Sequence, residues 1–287
     1  MVASDEILKR TSDQYRRIRN TFRFILGNLS DFNDKNKVEF NDQVELDKWI
    51  INETKILQKE ITALYESYSY HKATQKIHNF CVNELGGIYL DIVKDRLYTC
   101  KNDSLARRSC QTSLDFILNV LVRLIAPILS YTAEEIWQTS DRLNHQEKSV
   151  FLSNFDTFEI ELESSINQSE WKRIFEIKDA VNQSIEEMRN DNKLKGSLDS
   201  VVNIQATSND FQILNKLGDE LHFLFISSEA KVKEGNTFKI KVTTSKNAKC
   251  VRCWHRDLSV GSIQEHPELC IRCIDNIEND GEQRKSV

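Results

Sequence analysis

The chain has 287 residues, of which 39% are hydrophobic and 29% charged, and its mean hydropathy is −0.50. This composition is typical of a soluble globular protein long enough for two domains, and no apolar run is long enough to span a bilayer. With 8 glycines and 2 prolines the chain favours helices, and neither glycine-rich phosphate-binding motif occurs. The net charge of −5 does not indicate nucleic-acid binding, so any such function depends on local basic patches.

Residues 1–139 predict an antiparallel helix bundle. Apolar residues recur at helical spacing in four segments, and a fifth helix follows Pro127. The predicted helices cover Ser4–Leu29, Val44–Tyr70, His71–Leu97, Leu105–Ala126 and a segment that restarts at a Thr132–Glu135 capping box. Within the third helix, Gly86 and Gly87 indicate a point of close packing or bending.

A polar, aperiodic stretch at 140–167 predicts a connecting segment. Residues 168–245 then predict a small α/β subdomain, because helical patterns alternate with short strand patterns. Its predicted elements are helices at Glu170–Asn190 and Asp210–Phe225 and strands at 201–206, 231–234 and 238–245. The last residues, 276–287, predict a polar tail without a core-forming pattern.

Four cysteines near the C-terminus form a C-x2-C-x16-C-x2-C array, made by Cys250, Cys253, Cys270 and Cys273. Each pair lets a tight turn direct two sulfurs to one point, and two pairs supply the four tetrahedral ligands that Zn²⁺ prefers. An all-thiolate set leaves no open coordination position, so we expect one structural zinc ion in a finger at 246–275. Two disulfides or a redox pair are weaker interpretations, because no signal peptide precedes the array.

The first predicted helix carries a row of arginines. Arg16, Arg19 and Arg23 stand at positions i, i+3 and i+7, which places them along one side of the helix beside its apolar stripe. Such a row can bind successive phosphates. The alternative is an ordinary solvated helix face with acidic neighbours such as Asp13.

A second basic group surrounds the turn between the third and fourth helices. Its members are Lys94, Arg96, Lys101, Arg107 and Arg108. If these helices are antiparallel neighbours, their shared end displays the cations together. The alternative is salt bridging within the protein, with Lys94 and Arg96 complementing a helix C-terminus.

The third basic group lies on the four-cysteine segment. Its members are Lys246, Lys249, Arg252 and Arg256. Cations beside Trp254 suit unpaired nucleotides, because phosphates bind the charge while a base stacks on the indole ring. Alternatively, Trp254 covers the metal site as local core. His255 and His266 are not expected to be ligands, because four thiolates complete the shell.

No catalytic constellation is visible in the sequence. It contains no Ser/His/Asp order with a nucleophile elbow and no His-Glu-x-x-His motif. Cys81, Cys100 and Cys110 are scattered through helical sequence, as is typical of core thiols. The pattern favours a binding protein.

Several segments resemble the C-terminal part of the bacterial-type isoleucyl-tRNA synthetases, a family of class I aminoacyl-tRNA synthetases. SDEILKR at 4–10 and YRRIRNT at 15–21 resemble the start of the family's anticodon-binding helix bundle. YLDIVKDRLYT at 89–99 and RRSCQT at 107–112 are similar to a stretch of the isoleucine enzyme in particular. The segment 126–137, with APIL and TAEEIW, resembles one that the valine and leucine enzymes share.

The zinc segment also resembles this family. KCVRCWH at 249–255 and CIRC at 270–273 are similar to its C-terminal finger, and GEQRK at 281–285 fits its tail. The resemblance covers essentially the whole chain in the family's order and implies a tRNA-binding module. The expected phosphate contacts are Arg16, Arg19, Arg23, Lys94, Arg96, Arg107 and Arg108. Arg252 and Trp254 are expected to reach unpaired bases of the anticodon loop.

The chain departs from the family in one respect. A complete synthetase has a catalytic domain with HIGH and KMSKS motifs and an editing domain, and neither motif occurs here. The resemblance therefore implies a monomeric, cytoplasmic, non-membrane chain that binds tRNA(Ile) and zinc and is inactive by itself. Catalytic and editing domains, in cis or on a split chain, would use ATP to attach isoleucine. Met1 is then an internal start, a fragment boundary or the start of half of a split enzyme.

Two other functions remain open from the sequence. A free-standing tRNA-binding protein derived from the synthetase would carry the same motifs. A DNA glycosylase of the formamidopyrimidine type has a zinc finger with similar cysteine spacing, but such enzymes begin with Pro-Glu, whereas this chain begins Met1-Val2-Ala3. Strand cleavage at a damaged base would support the glycosylase.

Overall fold

The computed structural model describes residues 4–143, 147–155 and 163–287, so part of the predicted connecting segment lies outside the described residues. The chain forms two compact units, each assembled from three stretches. The first contains Met1–Phe40, Ile50–Asp91 and Arg108–Leu162, and the second contains Asn41–Trp49, Ile92–Arg107 and Glu163–Val287. The linear domain boundaries given above remain predictions.

Helices dominate the fold, as the periodicity predicts. The long helices are α1 (Asp5–Asn28), α2 (Glu45–Glu66), α3 (Tyr70–Phe80), α4 (Leu90–Thr99), α5 (Leu105–Ile125), α6 (Ser130–Thr139) and α7 (Gln168–Asn190). The short helices are α8 (Ser208–Asn215), α9 (Leu221–Leu224) and α10 (Ile271–Glu278). The strands are β1 (Ser200–Ala206), β2 (Glu229–Glu234) and β3 (Lys239–Thr244). The mainly α fold class is confirmed. Among the described residues, no helix combines the length and apolarity that crossing a membrane requires.

The first unit is an antiparallel helix bundle. Gln111 near the start of α5 donates a hydrogen bond to the carbonyl of Asn28 at the end of α1 (2.8 Å). Tyr65 near the end of α2 donates to the carbonyl of Leu124 near the end of α5 (2.5 Å). Helices α1 and α5 therefore run in opposite directions, and α2 runs with α5. The apolar stripe of α1, including Phe22, is buried in the core of this bundle.

The predicted third helix consists of three consecutive parts. Helix α3 continues into a π-helix at Cys81–Tyr89, which continues into α4. A Cβ atom on Gly86 would lie 3.1 Å from the carbonyl oxygen of Cys81. Glycine therefore suits the wide π turn, where a Cβ atom would crowd the carbonyl five residues earlier in the same helix. Close packing or bending at the glycine pair remains a prediction.

One predicted helix start is wrong. Helix α6 begins at Ser130, two residues before Thr132, and no side-chain cap forms there. After Pro127 the amide of Leu129 already folds back onto the end of α5 (2.7 Å), which starts the helix early. Thr132 instead forms a hydrogen bond with the hydroxyl of Tyr15 (3.1 Å).

A three-stranded sheet lies in the second unit. β1 is central, with β2 parallel on one side and β3 antiparallel on the other. Val202, Ile204 and Ala206 of β1 are buried on the face against which α7, α8 and α9 pack. The single helix predicted over Asp210–Phe225 is instead α8, a short 3-10 turn and α9, because Gly218 adopts a left-handed φ of 53°.

The last residues pack more closely than their polar composition predicts. Helix α10 extends to Glu278, and Arg284 and Val287 are 2% and 0% exposed. Glu220 accepts hydrogen bonds from the three consecutive amides of residues 285–287 (2.8, 2.9 and 2.7 Å). The carbonyls of Lys285 and Ser286 accept hydrogen bonds from the first two amides of α2, those of Glu45 and Leu46 (2.9 and 3.0 Å). The tail therefore packs without a core-forming apolar pattern, because its backbone satisfies groups that a helix start leaves unpaired.

Candidate metal centre and nucleic-acid interface

The first cysteine pair lies on a tight hairpin between Lys249 and Arg256, which form an antiparallel bridge. The amide of Cys250 donates to the carbonyl of His255 (2.9 Å), and the amide of Trp254 donates to the carbonyl of Cys250 (3.0 Å). Trp254 closes this turn with a left-handed φ of 66°. We call the hairpin, residues 249–256, the zinc knuckle.

The second cysteine pair lies at the start of α10. Cys270 directly precedes the helix, and Cys273 lies in its first turn. The amide of Cys270 donates a hydrogen bond to the sulfur of Cys250 (3.4 Å). All four sulfurs lie within 4.8 Å of one another, and all four cysteines are buried. The fold therefore brings the predicted ligand set together.

The four sulfurs fit one zinc ion. A tetrahedron with Zn–S bonds of about 2.3 Å has sulfur–sulfur edges of about 3.8 Å, and the sulfurs of Cys253 and Cys270 are 3.7 Å apart. A disulfide requires a sulfur–sulfur distance of about 2.05 Å, and all seven cysteines are free. The disulfide interpretation is therefore wrong. Within the described ranges no histidine joins the sulfur cluster.

A charge network, buried at Arg284 and partly buried at its other members, lies beside the second cysteine pair. Arg272 contacts Asp95 of α4 (2.7 and 2.9 Å) and Glu282 of the tail (3.0 Å). Arg284 contacts the same Asp95 (2.7 Å) and Glu282 (2.8 Å). The ring of Phe223 lies 3.1 Å from the Arg284 guanidinium carbon and 5.0 Å from that of Arg272, measured from the ring centroid. These contacts join α4, α10 and the tail.

The arginines of this network keep its two carboxylates charged. Burial alone would raise the pKa of Asp95, but Arg272 and Arg284 outweigh burial and hold that pKa well below its usual range. The pKa of Glu282 is lowered in the same way, against burial, by Arg284 and Arg272. Burial raises the pKa of the Cys100 thiol, whose sulfur lies 3.3 Å from Glu282. The carboxylates are therefore charged at neutral pH and the thiol is neutral. The sequence pattern did not predict this network, although the tail carries both signs of charge, with Glu282 two residues before Arg284.

The predicted arginine row lies on one helix, α1. Arg16 and Arg23 are exposed, and Arg19 is half-buried. Arg16 pairs with Asp13, and Arg19 forms a bidentate pair with Glu135 (2.6 and 2.9 Å) that raises the pKa of the guanidinium. Arg23 forms no ion pair with any residue that the structure describes. The role of the row in binding phosphates remains a prediction.

The structure corrects one residue of the second basic group. Arg96 is 1% exposed, and its guanidinium donates to both oxygens of Asp47 (2.6 and 2.8 Å) and to the carbonyl of Ala106 (3.2 Å). The prediction that Arg96 contacts a phosphate is wrong, because protein acceptors enclose its charge. Lys94, by contrast, is exposed on α4.

Two further members of this group are half-buried. Arg107 donates to the carbonyls of Leu97 (3.3 Å) and Asn102 (3.2 Å). Arg108 donates to the carboxylate of Asp31 (3.2 Å) and to the side chain of Gln111 (2.7 Å). Both arginines therefore use part of their hydrogen-bonding capacity inside the protein.

The zinc knuckle presents an aromatic ring to solvent. Trp254 is 60% exposed, and the ammonium nitrogen of Lys249 lies 5.5 Å from the centroid of its ring. The interpretation of Trp254 as local core is therefore wrong. Arg252 points elsewhere, because its guanidinium donates to the carbonyl of Thr99 at the end of α4 (2.6 Å).

Comparison with known families decides the assignment. Residues 47–204, more than half of the chain, match the anticodon-binding domain of tRNA ligases. The chain belongs to this anticodon-binding family. Residues 248–276 match the zinc finger found in FPG and IleRS. Because the matched segment contains all four buried sulfurs, Cys250, Cys253, Cys270 and Cys273 hold one structural Zn²⁺ ion.

Relatives of this anticodon-binding family member are isoleucine–tRNA ligases. Those of Teredinibacter turnerae and Idiomarina loihiensis are each 44% identical to it, over 99% of this chain and 32% of the relative. The ligase of Legionella pneumophila (strain Paris) is 44% identical over 98% of this chain and 31% of its own length. The chain thus spans about a third of the length of the curated relatives it matches. The resemblance to the synthetase family is confirmed, and the match over 47–204 does not support a glycosylase.

Proposed function

We propose that this member of the anticodon-binding family is the tRNA-binding C-terminal portion of an isoleucyl-tRNA synthetase and recognises the anticodon region of tRNA(Ile). The family match over 47–204 carries the proposal, and the 44% identity to isoleucine–tRNA ligases supports the amino acid. We assign ATP-dependent attachment of isoleucine to the catalytic and editing domains of such a ligase, in cis or on a separate chain. A monomeric, cytoplasmic state belongs to the same proposal.

Phosphate binding in this proposal uses cations that the solvent reaches. Surface ion pairs contribute about 0–1 kcal/mol, so the pair between Arg16 and Asp13 yields readily to a phosphate. The proposed phosphate contacts are Arg16, Arg19, Arg23, Lys94, Arg107 and Arg108. Arg96 is left out because its guanidinium is buried against Asp47.

The zinc knuckle is the proposed base contact. The metal fixes the turn that holds Trp254 in its left-handed conformation with the ring exposed. An unpaired base can then stack on the indole ring while Lys249 meets the adjoining phosphate. Arg252 holds the knuckle to Thr99 and retains further N–H donors for a base. The zinc ion itself supplies no chemistry, because its four thiolates leave no open position.

Titration of the chain with tRNA(Ile) at several salt concentrations tests the proposal. If Arg16 and Arg23 each neutralise one phosphate, the Arg16→Gln/Arg23→Gln variant should bind more weakly, and its slope of log K against log salt should fall by about 1.5. Lys172→Gln/Arg189→Gln removes two exposed charges of α7 and is the matched control. Affinity that does not change with salt would contradict phosphate binding.

A further inference from the structure

One face of the three-stranded sheet carries four lysines around two amide side chains. In each of two neighbouring rows, an amide residue of β1 is paired with one lysine of β2 and one lysine of β3. Residues paired directly across strands have their side chains on the same face of the sheet. We call this surface the lysine face; its members are Asn203, Gln205, Lys231, Lys233, Lys239 and Lys241.

The lysine face is the solvent side of the sheet. Val202 and Ile204, the alternate residues of β1, are buried on the opposite face. Asn203 and all four lysines are exposed, and Gln205 is half-buried. The sequence records this arrangement as Lys-Val-Lys in β2 and Lys-Ile-Lys in β3, in which an apolar residue separates two lysines.

The two rows contain four cations and no carboxylate. Lys231 pairs with Glu229 of its own strand. Lys233, Lys239 and Lys241 form no ion pair with any other described residue. Strand spacing places the lysines of β2 and β3 about 10 Å apart, and successive lysines of one strand about 7 Å apart. Several phosphates of one backbone can therefore occupy the face together.

The basic surface continues along the chain toward the zinc knuckle. Strand β3 ends at Thr244, and Lys246 and Lys249 follow as exposed residues. Lys249 is the residue that contacts the ring of Trp254. The lysine face and the proposed base contact are thus joined by one short basic segment.

We propose that the lysine face binds the phosphate backbone of tRNA as a second contact beside the zinc knuckle. This proposal rests on the proposed function. Ammonium groups bind phosphates. Asn203 forms no side-chain hydrogen bond with any described residue, so its amide is available to a ribose 2′-hydroxyl as donor or acceptor. Contacts of this kind raise affinity without reading sequence. The competing explanation is that lysines keep edge strands β2 and β3 from pairing with other chains.

The first experiment removes the four charges from the full chain. Its variant is Lys231→Gln/Lys233→Gln/Lys239→Gln/Lys241→Gln, and its control is Lys59→Gln/Lys72→Gln/Lys172→Gln/Lys195→Gln, which removes four exposed charges elsewhere. At one phosphate per lysine, the slope of log K against log salt for tRNA(Ile) falls by about 3 in the lysine-face variant and keeps its wild-type value in the control.

Different results of this experiment would overturn the lysine-face inference and the proposed function. A lysine-face variant that keeps the wild-type slope overturns the inference, while salt-dependent binding by the wild type leaves the proposed function standing. If that variant also self-associates, the lysines only shield the strand edges. A wild-type chain without salt-dependent binding overturns the proposed function and the lysine face with it.

The second experiment needs no variant and so does not depend on folding of one. Lysine acylation of the wild-type chain, read by mass spectrometry, is compared with and without saturating tRNA(Ile). We expect tRNA to slow acylation of the four lysines of the face several-fold, relative to Lys59 and Lys172. Equal slowing at all six positions overturns the inference.

Discussion

Asp95 shows how a single residue's sequence context conceals its role. It stands between Lys94 and Arg96 in a basic stretch of α4, yet its carboxylate contacts Arg272 and Arg284. Without this charge, the two guanidinium groups would be left under-compensated beside the zinc site. Removing one partner of a buried ion pair costs about 3–5 kcal/mol, because the remaining charge loses both water and counter-charge.

We therefore expect Asp95→Asn to lower the free energy of unfolding by about 3–5 kcal/mol, measured by urea denaturation at pH 7 with zinc present. Asp103→Asn is the control, because the Asp103 side chain is 74% exposed and lies 4.0 Å from Lys101. Its effect should stay within about 0.5 kcal/mol. Equal losses in the two variants would contradict a structural role for the network.

A second single residue, His222, should make the free energy of unfolding depend on pH. Its ring packs on Phe223, with centroids 3.8 Å apart. Burial, followed by the nearby His255, lowers the pKa of His222 from 6.5 to about 4. The folded state thus favours the neutral ring. Its contribution to stability is fully present above pH 6.5 and is lost as the pH falls from 6.5 toward 4.

The wild type should accordingly lose about 2 kcal/mol more stability between pH 7 and pH 5 than His222→Phe. Urea unfolding at the two pH values measures this difference. His71→Gln, at an exposed position of α3, should keep the wild-type pH dependence. The linkage is refuted if His222→Phe and the wild type lose the same amount.

At the scale of elements, the zinc knuckle and the bundle helices are stabilised differently. Among the described residues, the partly buried hydrophobic side chains packed against the cysteines are Val260 and Leu269, whereas the long helices bury whole apolar stripes. Structural zinc in small fingers contributes on the order of 10 kcal/mol or more. We expect chelation to unfold the segment from about residue 246 to the end of α10 while α1 and α5 remain folded.

Hydrogen exchange read by mass spectrometry resolves this expectation along the chain. Amides of the zinc knuckle and α10 should lose protection after chelation and regain it when zinc is restored. Amides in the core of α1 and α5 should keep theirs. Loss of protection throughout α5 would show that the bundle depends on the metal, against expectation.

Elements with strong local signals were predictable from the sequence. Helices α1, α5 and α7 carry apolar stripes, and the spacing of the four cysteines indicates a metal site without knowledge of the fold. The start of α6 was not predictable, because it depends on how Leu129 folds back onto α5. The packed tail was missed for a similar reason, since its partner Glu220 lies more than sixty residues away.

The residues of the candidate site also differ in whether local sequence patterns could predict their positions. Trp254 and the α1 arginines lie where helix and hairpin geometry predict. Arg96 does not lie at the surface as its position predicted, because it pairs with Asp47 near the start of another helix. The lysine face requires the register of three strands, and no single strand sequence supplies that. Long-range pairing is the information that local patterns lack.

At the scale of the whole molecule, the net charge gives no sign of the proposed binding surfaces. The chain carries −5 overall, yet the α1 row, the zinc knuckle and the lysine face each concentrate cations. An overall negative charge disfavours non-specific attachment of polyanions. Attraction is therefore limited to basic surfaces, and we expect binding to tRNA to depend steeply on salt.

The most direct test of anticodon recognition compares the affinity of the full chain for tRNA(Ile) and for the same tRNA with its anticodon replaced, at one salt concentration. Losing the stacking and base-edge contacts of one unpaired base costs about 1–3 kcal/mol, and about 1.4 kcal/mol corresponds to tenfold. We expect the replaced anticodon to weaken binding by about fivefold or more, and Trp254→Ala to reduce that discrimination. Equal affinity for the two tRNAs would contradict anticodon recognition by this chain.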